Sequence, residues 1–154
     1  MKIIELKRRQ DMSISPKLDA TYTQFNALVD ELNTRSLPDC TVSAVNKEIE
    51  EVNATTKVWN SMRRLVLKKQ SKIVRLIEKE HKIVPKNYYR NLWLVLGMSV
   101  FGIPIGAAIG SSIGNMGLIG IGLPIGMAFG MVAGARMDKK ALKEGRQLSI
   151  ELKN

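Results

Sequence analysis

FGIPIGAAIG, Phe101 to Gly110, returns twenty residues later as IGLPIGMAFG, Ile121 to Gly130. The two copies lie inside Asn91 to Ala135, forty-five residues with no Asp, Glu, Lys, Arg or His and with eleven of the twelve glycines. A hydrocarbon layer of about 30 Å is crossed by ~20 apolar residues at ~1.5 Å each. The stretch therefore suffices for two crossings and a tight turn, over about 92–112 and 117–135.

Within each copy glycine recurs every fourth residue: Gly102, Gly106, Gly110 and Gly114, then Gly122, Gly126, Gly130 and Gly134. A glycine inside a helix costs about 1 kcal/mol relative to alanine, so this spacing does not serve helicity. In lipid, where helices gain little from hiding apolar surface, small residues four apart form a groove that admits a neighbouring backbone. Pro104 and Pro124 lie some 200° around the axis from that groove and are expected to kink their helices away from it. In an antiparallel pair, Gly106 opposite Gly122 and Gly102 opposite Gly126 sets Arg90 and Arg136 level. Gly114 opposite Gly122 would instead draw Arg136 into the slab, at about 2.5–3.5 kcal/mol or more. The first register leaves glycines over, which suggests a homo-oligomer.

Both flanks are basic. Arg90 precedes the block, beside Tyr88, Tyr89 and Trp93, whose rings favour the headgroup region; Arg136, Lys139 and Lys140 follow it. The link around Ser111–Asn115 is uncharged. An excess of Lys and Arg marks the cytoplasmic side, so both termini are expected there, at the inner membrane in a bacterium, with residues 137–154 as a basic tail.

Upstream, residues 1–15 read as a polar tail, at most a turn or two of helix. Ser15-Pro16 is a helix start, and residues 16–86 read as a cytoplasmic helical region. Leu18, Tyr22, Phe25, Leu28, Val29 and Leu32 make one apolar stripe; Val42, Val45, Ile49 and Val52 a second; Val58, Met62, Leu65, Val66, Ile73, Leu76 and Ile77 a third. Such stripes pack on one another or form a coiled-coil seam for a helical protein partner. From Lys57 to Arg90, eleven basic residues face only Glu78 and Glu80, a solvated face or one attracted to anionic lipid. The expected fold is all-α: a helical bundle followed by a two-helix transmembrane hairpin, residues 87–136.

The net charge of +10 admits nucleic acid as a partner, but the basic residues crowd the flanks of the apolar block, and nucleic acid is disfavoured. A single cysteine, Cys40, excludes an internal disulfide. The start MKIIELKRRQ has no apolar core after its charges and does not read as a signal peptide. One histidine, His81, and no second thiol leave no metal set. No phosphate loop or nucleophile–base pair is present, so neither cofactor nor catalytic residue is expected.

The two glycine runs resemble the glycine-zipper segments of bacterial two-helix membrane proteins, of some secreted pore-forming toxins and of cristae-shaping mitochondrial subunits. The resemblance is confined to residues 91–135. It implies close helix contact and self-association, and with it two functions. One is a scaffold that holds a cytoplasmic helical module at the bilayer; the other is an oligomeric pore. Ser99, Ser111, Ser112 and Asn115 are the polar side chains of the block on which a pore lining would draw.

Overall fold

The computed structural model describes residues 1–7, 15–56 and 59–152, and all its named elements are helical. They are α1 (Pro16–Asn33), α2 (Asp39–Asn53), α3 (Trp59–His81), α4 (Tyr88–Leu96), α5 (Ile103–Ile113) and α6 (Ile119–Lys143), with a π-helical turn at Gly97–Gly102 between α4 and α5. They form two compact units, Met1–Ile83 with Leu148–Asn154, and Val84–Gln147.

In the first unit, Pro16 occupies the first turn of α1, and the Ser15 carbonyl, not its hydroxyl, accepts from Leu18 and Asp19. The stripes on α1 and α2 are buried throughout, as are Met62, Val66, Ile73 and Ile77 of α3. Leu65 and Leu76 are half-buried, and Val58 lies outside the described residues. Both α1 and α2 pack on α3 but not closely on each other. The apolar faces thus meet inside one chain and are not left open as a coiled-coil seam.

What fills the gap is the segment read from sequence as a tail. Residues 1–7 are non-helical, with Ile3 4% and Leu6 3% exposed, and four asparagines hold their backbone. Asn33 of α1 accepts from the Ile3 N–H (2.9 Å) and donates to the Ile3 carbonyl, and Asn26 does the same for Leu6. From α2, Asn46 joins the Ile4 N–H to the Lys2 carbonyl, and Asn53 joins the Lys7 N–H to the Glu5 carbonyl. The spacing has a geometric cause. Seven helical residues advance about 10.5 Å, and three extended residues about 10 Å. Asparagines seven apart therefore meet every third residue of the strap, which runs antiparallel to α1 and parallel to α2. A period of three, that of polyproline II, also puts Ile3 and Leu6 on one side.

The strap is close to energetic balance. Burying two aliphatic side chains contributes about 3–6 kcal/mol, and eight amide hydrogen bonds roughly 4–12 kcal/mol net. Ordering seven backbone residues costs about 7–14 kcal/mol.

The C-terminal residues are likewise no free tail. Leu148 is buried, and the Ser149 and Ile150 N–H groups donate to the Glu31 carboxylate at 2.5 and 3.3 Å. Between α2 and α3 lies an ion cluster with a buried centre and exposed ends: Lys69 donates to Glu48 (2.8 Å) and to the exposed Glu51, and the exposed Lys72 to Glu48 (2.5 Å). Burial pushes the Glu48 carboxyl up, but the hydrogen bonds and charges of Lys69 and Lys72 outweigh it and hold it below 4.5. The bonds that Lys69 donates to Glu48 and Glu51 raise it above 10.5. His81 is half-buried with its Nε2 3.0 Å from the Thr41 hydroxyl.

In the second unit α6 runs back along α4 and α5. The turn is built by Gly114 at φ +73, the Asn115 N–H bonding to the Gly110 carbonyl, and the Asn115 side chain accepting from Gly117. At the other end the Val84 N–H donates to the Arg146 carbonyl (3.0 Å).

Lys69→Met leaves the buried Glu48 with Lys72 alone and Glu51 facing solvent, and is expected to destabilise the first unit by about 1–3 kcal/mol, read by urea unfolding of the full chain. In the wild type, the contribution of Glu48 is in force above 4.5 and is lost as pH falls through the lower value it has in the fold. That of Lys69 is in force below 10.5 and is lost as pH rises through its raised value. Unfolding midpoints measured across pH should fall at both ends, and less so in the variant.

Candidate functional site: the glycine seam

The candidate site is the line along which α6 meets α4, the π turn and α5. Gly122 backs onto Gly106, Gly126 onto Gly102, Gly130 onto Gly97 and Trp93, and Gly134 onto Tyr89 and Arg90. These are main-chain contacts. A Cβ would lie 2.6 Å from the Gly106 Cα if built on Gly122, 2.7 Å from the Gly102 Cα on Gly126, and 2.5 Å from the Arg90 Cα on Gly134. Gly110 closes the turn end, its Cβ position 3.1 Å from the Asn115 carbonyl oxygen. Any side chain larger than hydrogen at Gly122, Gly126, Gly130 or Gly134 separates the helices.

Two expectations need correction. Gly114 does not belong to the seam: it is the left-handed cap of α5, exposed, with nothing near its Cβ position. The glycines expected to be left over for a neighbour, Gly110, Gly130 and Gly134, are buried against the same chain.

Gly97 joins the seam although it stands five residues, not four, before Gly102. On a continuous α-helix five residues turn 500°, leaving Gly97 about 140° from Gly102. The π turn removes that offset. It absorbs an extra residue, the Ile103 N–H bonding to the Met98 carbonyl five residues back, and brings Gly97 against Gly126 and Gly130. Pro104, in the first turn of α5, has no N–H to continue an α ladder, and the π turn stands immediately before it. Pro124 is different: it sits inside an uninterrupted α6. The two prolines, expected to act alike, mark a π turn in one helix and none in the other.

The open end of the pair, opposite the turn, is pinned by Asp138, 6% exposed. Asn87, the residue before α4, has φ +61 and makes no side-chain cap. Asp138 of α6 supplies one instead, its two carboxylate oxygens accepting from the Tyr89 N–H (3.0 Å) and the Arg90 N–H (2.9 Å). A carboxylate at a helix N-terminus satisfies orphan donors and meets the positive end of the dipole. Of the expected anchors, Tyr88, Tyr89, Arg90 and Trp93 are half-buried, with the tyrosine rings edge to face at 5.3 Å. Arg136, Lys139 and Lys140 are exposed. Both apolar helices extend past the limits read from sequence, to Tyr88–Ile113 and Met116–Lys143, so residues 137–143 continue α6.

The polar side chains of the block are satisfied locally. Ser99 donates to the Val95 carbonyl, and Ser111 and Ser112 both donate to the Ala108 carbonyl. The described residues contain no His, Cys, Asp or Glu cluster suited to a metal ion. No protein-family model, curated protein or solved structure matches the chain.

Gly122→Leu or Gly126→Leu should open the pair at a cost of about 1–3 kcal/mol or more, speeding amide exchange in α5 roughly tenfold or beyond. Gly120→Leu, with open space at its Cβ, should leave exchange unchanged. Asp138→Leu removes two charge-assisted bonds and should cost about 3 kcal/mol, with the Tyr89 and Arg90 amides the first to lose protection.

Proposed function

We propose that residues 84–147 are a membrane anchor of two helices closed on each other, holding the helical unit of residues 1–83 and 148–152 at the cytoplasmic face. The observation that carries this is an inverted distribution of size. Glycines occupy the interior of the pair, while large apolar side chains point out: Val95 60%, Val100 56%, Phe129 65% and Val132 54% exposed. Water would drive those side chains inward. A lipid solvent leaves them outside and rewards close backbone approach. Both helices have the length and composition to cross a bilayer, and only 17% of either apolar window is buried, unlike a soluble core helix.

Chain topology supports two crossings rather than one. The chain leaves the first unit at Ile83 and re-enters it at Leu148, so one compact body contains both ends of the excursion. The positive-inside rule, acting on Lys86, Arg90, Arg136, Lys139 and Lys140, assigns that body to the cytoplasm. Arg64, Lys68, Lys72, Arg75 and Lys79 of α3 are all exposed, and their steps of three and four residues align them on one stripe. Anionic lipid is the partner such a stripe favours, at about 1 kcal/mol per basic residue near the surface.

Glycine-mediated self-association and a glycine-lined pore both need glycine faces that a single chain leaves uncovered. Gly102, Gly106, Gly110, Gly122, Gly126, Gly130 and Gly134 are buried within one chain, which supports the anchor over those readings. Membranes from cells expressing the full chain test it. The chain should stay in the pellet after alkaline carbonate and leave it with detergent, and reporters fused at either end should both be active in the cytoplasm. Full-length chain in the carbonate supernatant would refute the anchor. A reporter active outside would refute the orientation alone.

A further inference from the structure

The cleft between α1 and α2 holds residues 1–7 almost entirely by their main chain. Four asparagines each offer one carbonyl and one amino group, and together they bond the N–H of Ile3, Ile4, Leu6 and Lys7 and the carbonyls of Lys2, Ile3, Glu5 and Leu6. An amide side chain used this way imitates a neighbouring strand and reads no side chain. Specificity enters only where Ile3 and Leu6 are buried. The remaining side chains face outward: Lys2, Glu5 and Lys7 are exposed, and Ile4 is 37% exposed. An open cleft of about 690 Å³, lined by Ile4, Glu5, Lys7, Glu50, Asn53 and Ala54, flanks the strap and leaves room for different outward side chains.

We propose that this cleft is a peptide-binding site for an extended segment with aliphatic residues three apart, and that its second occupant is residues 1–7 of another copy of this chain. Three observations favour that occupant. The segment of a second copy is chemically the same as the one seated, so all eight bonds and both apolar contacts are reproduced. Charge is complementary: α1 and α2 carry seven acidic residues against two basic ones, and the strap carries Lys2 and Lys7 against Glu5. The seated segment is near balance between contact and ordering, so the site opens without unfolding the helices. Exchange of an identical element between copies forms few new contacts and so proceeds at low cost.

The test uses the full chain in detergent and is independent of the anchor reading, because every residue involved belongs to the first unit. A photo-crosslinking residue replaces the exposed Ile4 in one tagged copy, which is mixed with a wild-type copy bearing another tag. With the wild-type copy raised to about 1 mM, the range of effective concentrations of short tethers, on the order of one adduct in three should join the two tags and map onto α2. Ile3→Asp with Leu6→Asp in the labelled copy leaves the receiving chain intact and should lower the inter-chain adduct at least about tenfold, since two buried aliphatic contacts are lost. Adducts confined to single chains at every concentration would overturn the proposal. So would inter-chain adducts that persist undiminished in the variant, because they would report collision and not docking.

Discussion

Backbone contact between two helices is the constraint on which the second unit depends. It is satisfied because α6 contributes Gly122, Gly126, Gly130 and Gly134 along the seam, and where Ile119 meets the partner helix it is Gly106 that has no side chain. Gly122 and Gly126 approach the main chain of Gly106 and Gly102 so closely that a methyl group has no place. Dispersion falls steeply with distance, and only such proximity gives a helix pair enough attraction where solvent offers little. The exposed Val95, Val100, Phe129 and Val132 follow from the same choice. When backbones fill the interface, large side chains point outward.

The seam also fixes what happens at its ends. An antiparallel pair this close needs a turn of minimal width, and Gly114 at φ +73 with the Asn115 side chain on the Gly117 N–H provides it. At the open end Asp138 converts proximity into hydrogen bonds, reaching the first amides of α4 from the neighbouring helix. The lone carboxylate among Arg136, Lys139 and Lys140 thus has a structural cause that charge counting hides.

The fold was legible in the sequence where a feature had a regular period, and illegible where the period broke. Five of the six four-residue glycine steps read directly as one face, because each step turns a helix by little more than a full circle; the sixth, Gly110 to Gly114, ends in the cap of α5. Gly97 escaped because a five-residue step leaves that face unless a π turn intervenes. The clue was there in Pro104, which forbids an α bond seven residues after Gly97. Asp138 escaped because capping across helices has no fixed spacing along the chain. The heptad pairs Asn26/Asn33 and Asn46/Asn53 give no signal by themselves, since their partner is a seven-residue segment too short to show a period of its own. The stripes of α1, α2 and α3 gave the bundle; the strap between α1 and α2 did not follow from them.

The two units solve one problem by opposite means. Each must satisfy a main chain that lacks its usual partner. In the second unit the helices satisfy their own hydrogen bonds, so removing side chains brings backbone against backbone and leaves the contact to van der Waals forces. In the first unit the strap has no ladder to join, and side chains are extended until they replace one, with amide groups that accept and donate as a peptide does. Glycine is selected where the groups are already satisfied and only distance matters, and asparagine where they are not. The close-packed pair has no freedom to vary its partner, because a change of one residue at Gly122 or Gly126 collides with backbone. The asparagine cleft reads the chain without its side chains, and recognition of that kind admits any segment whose two buried positions fit.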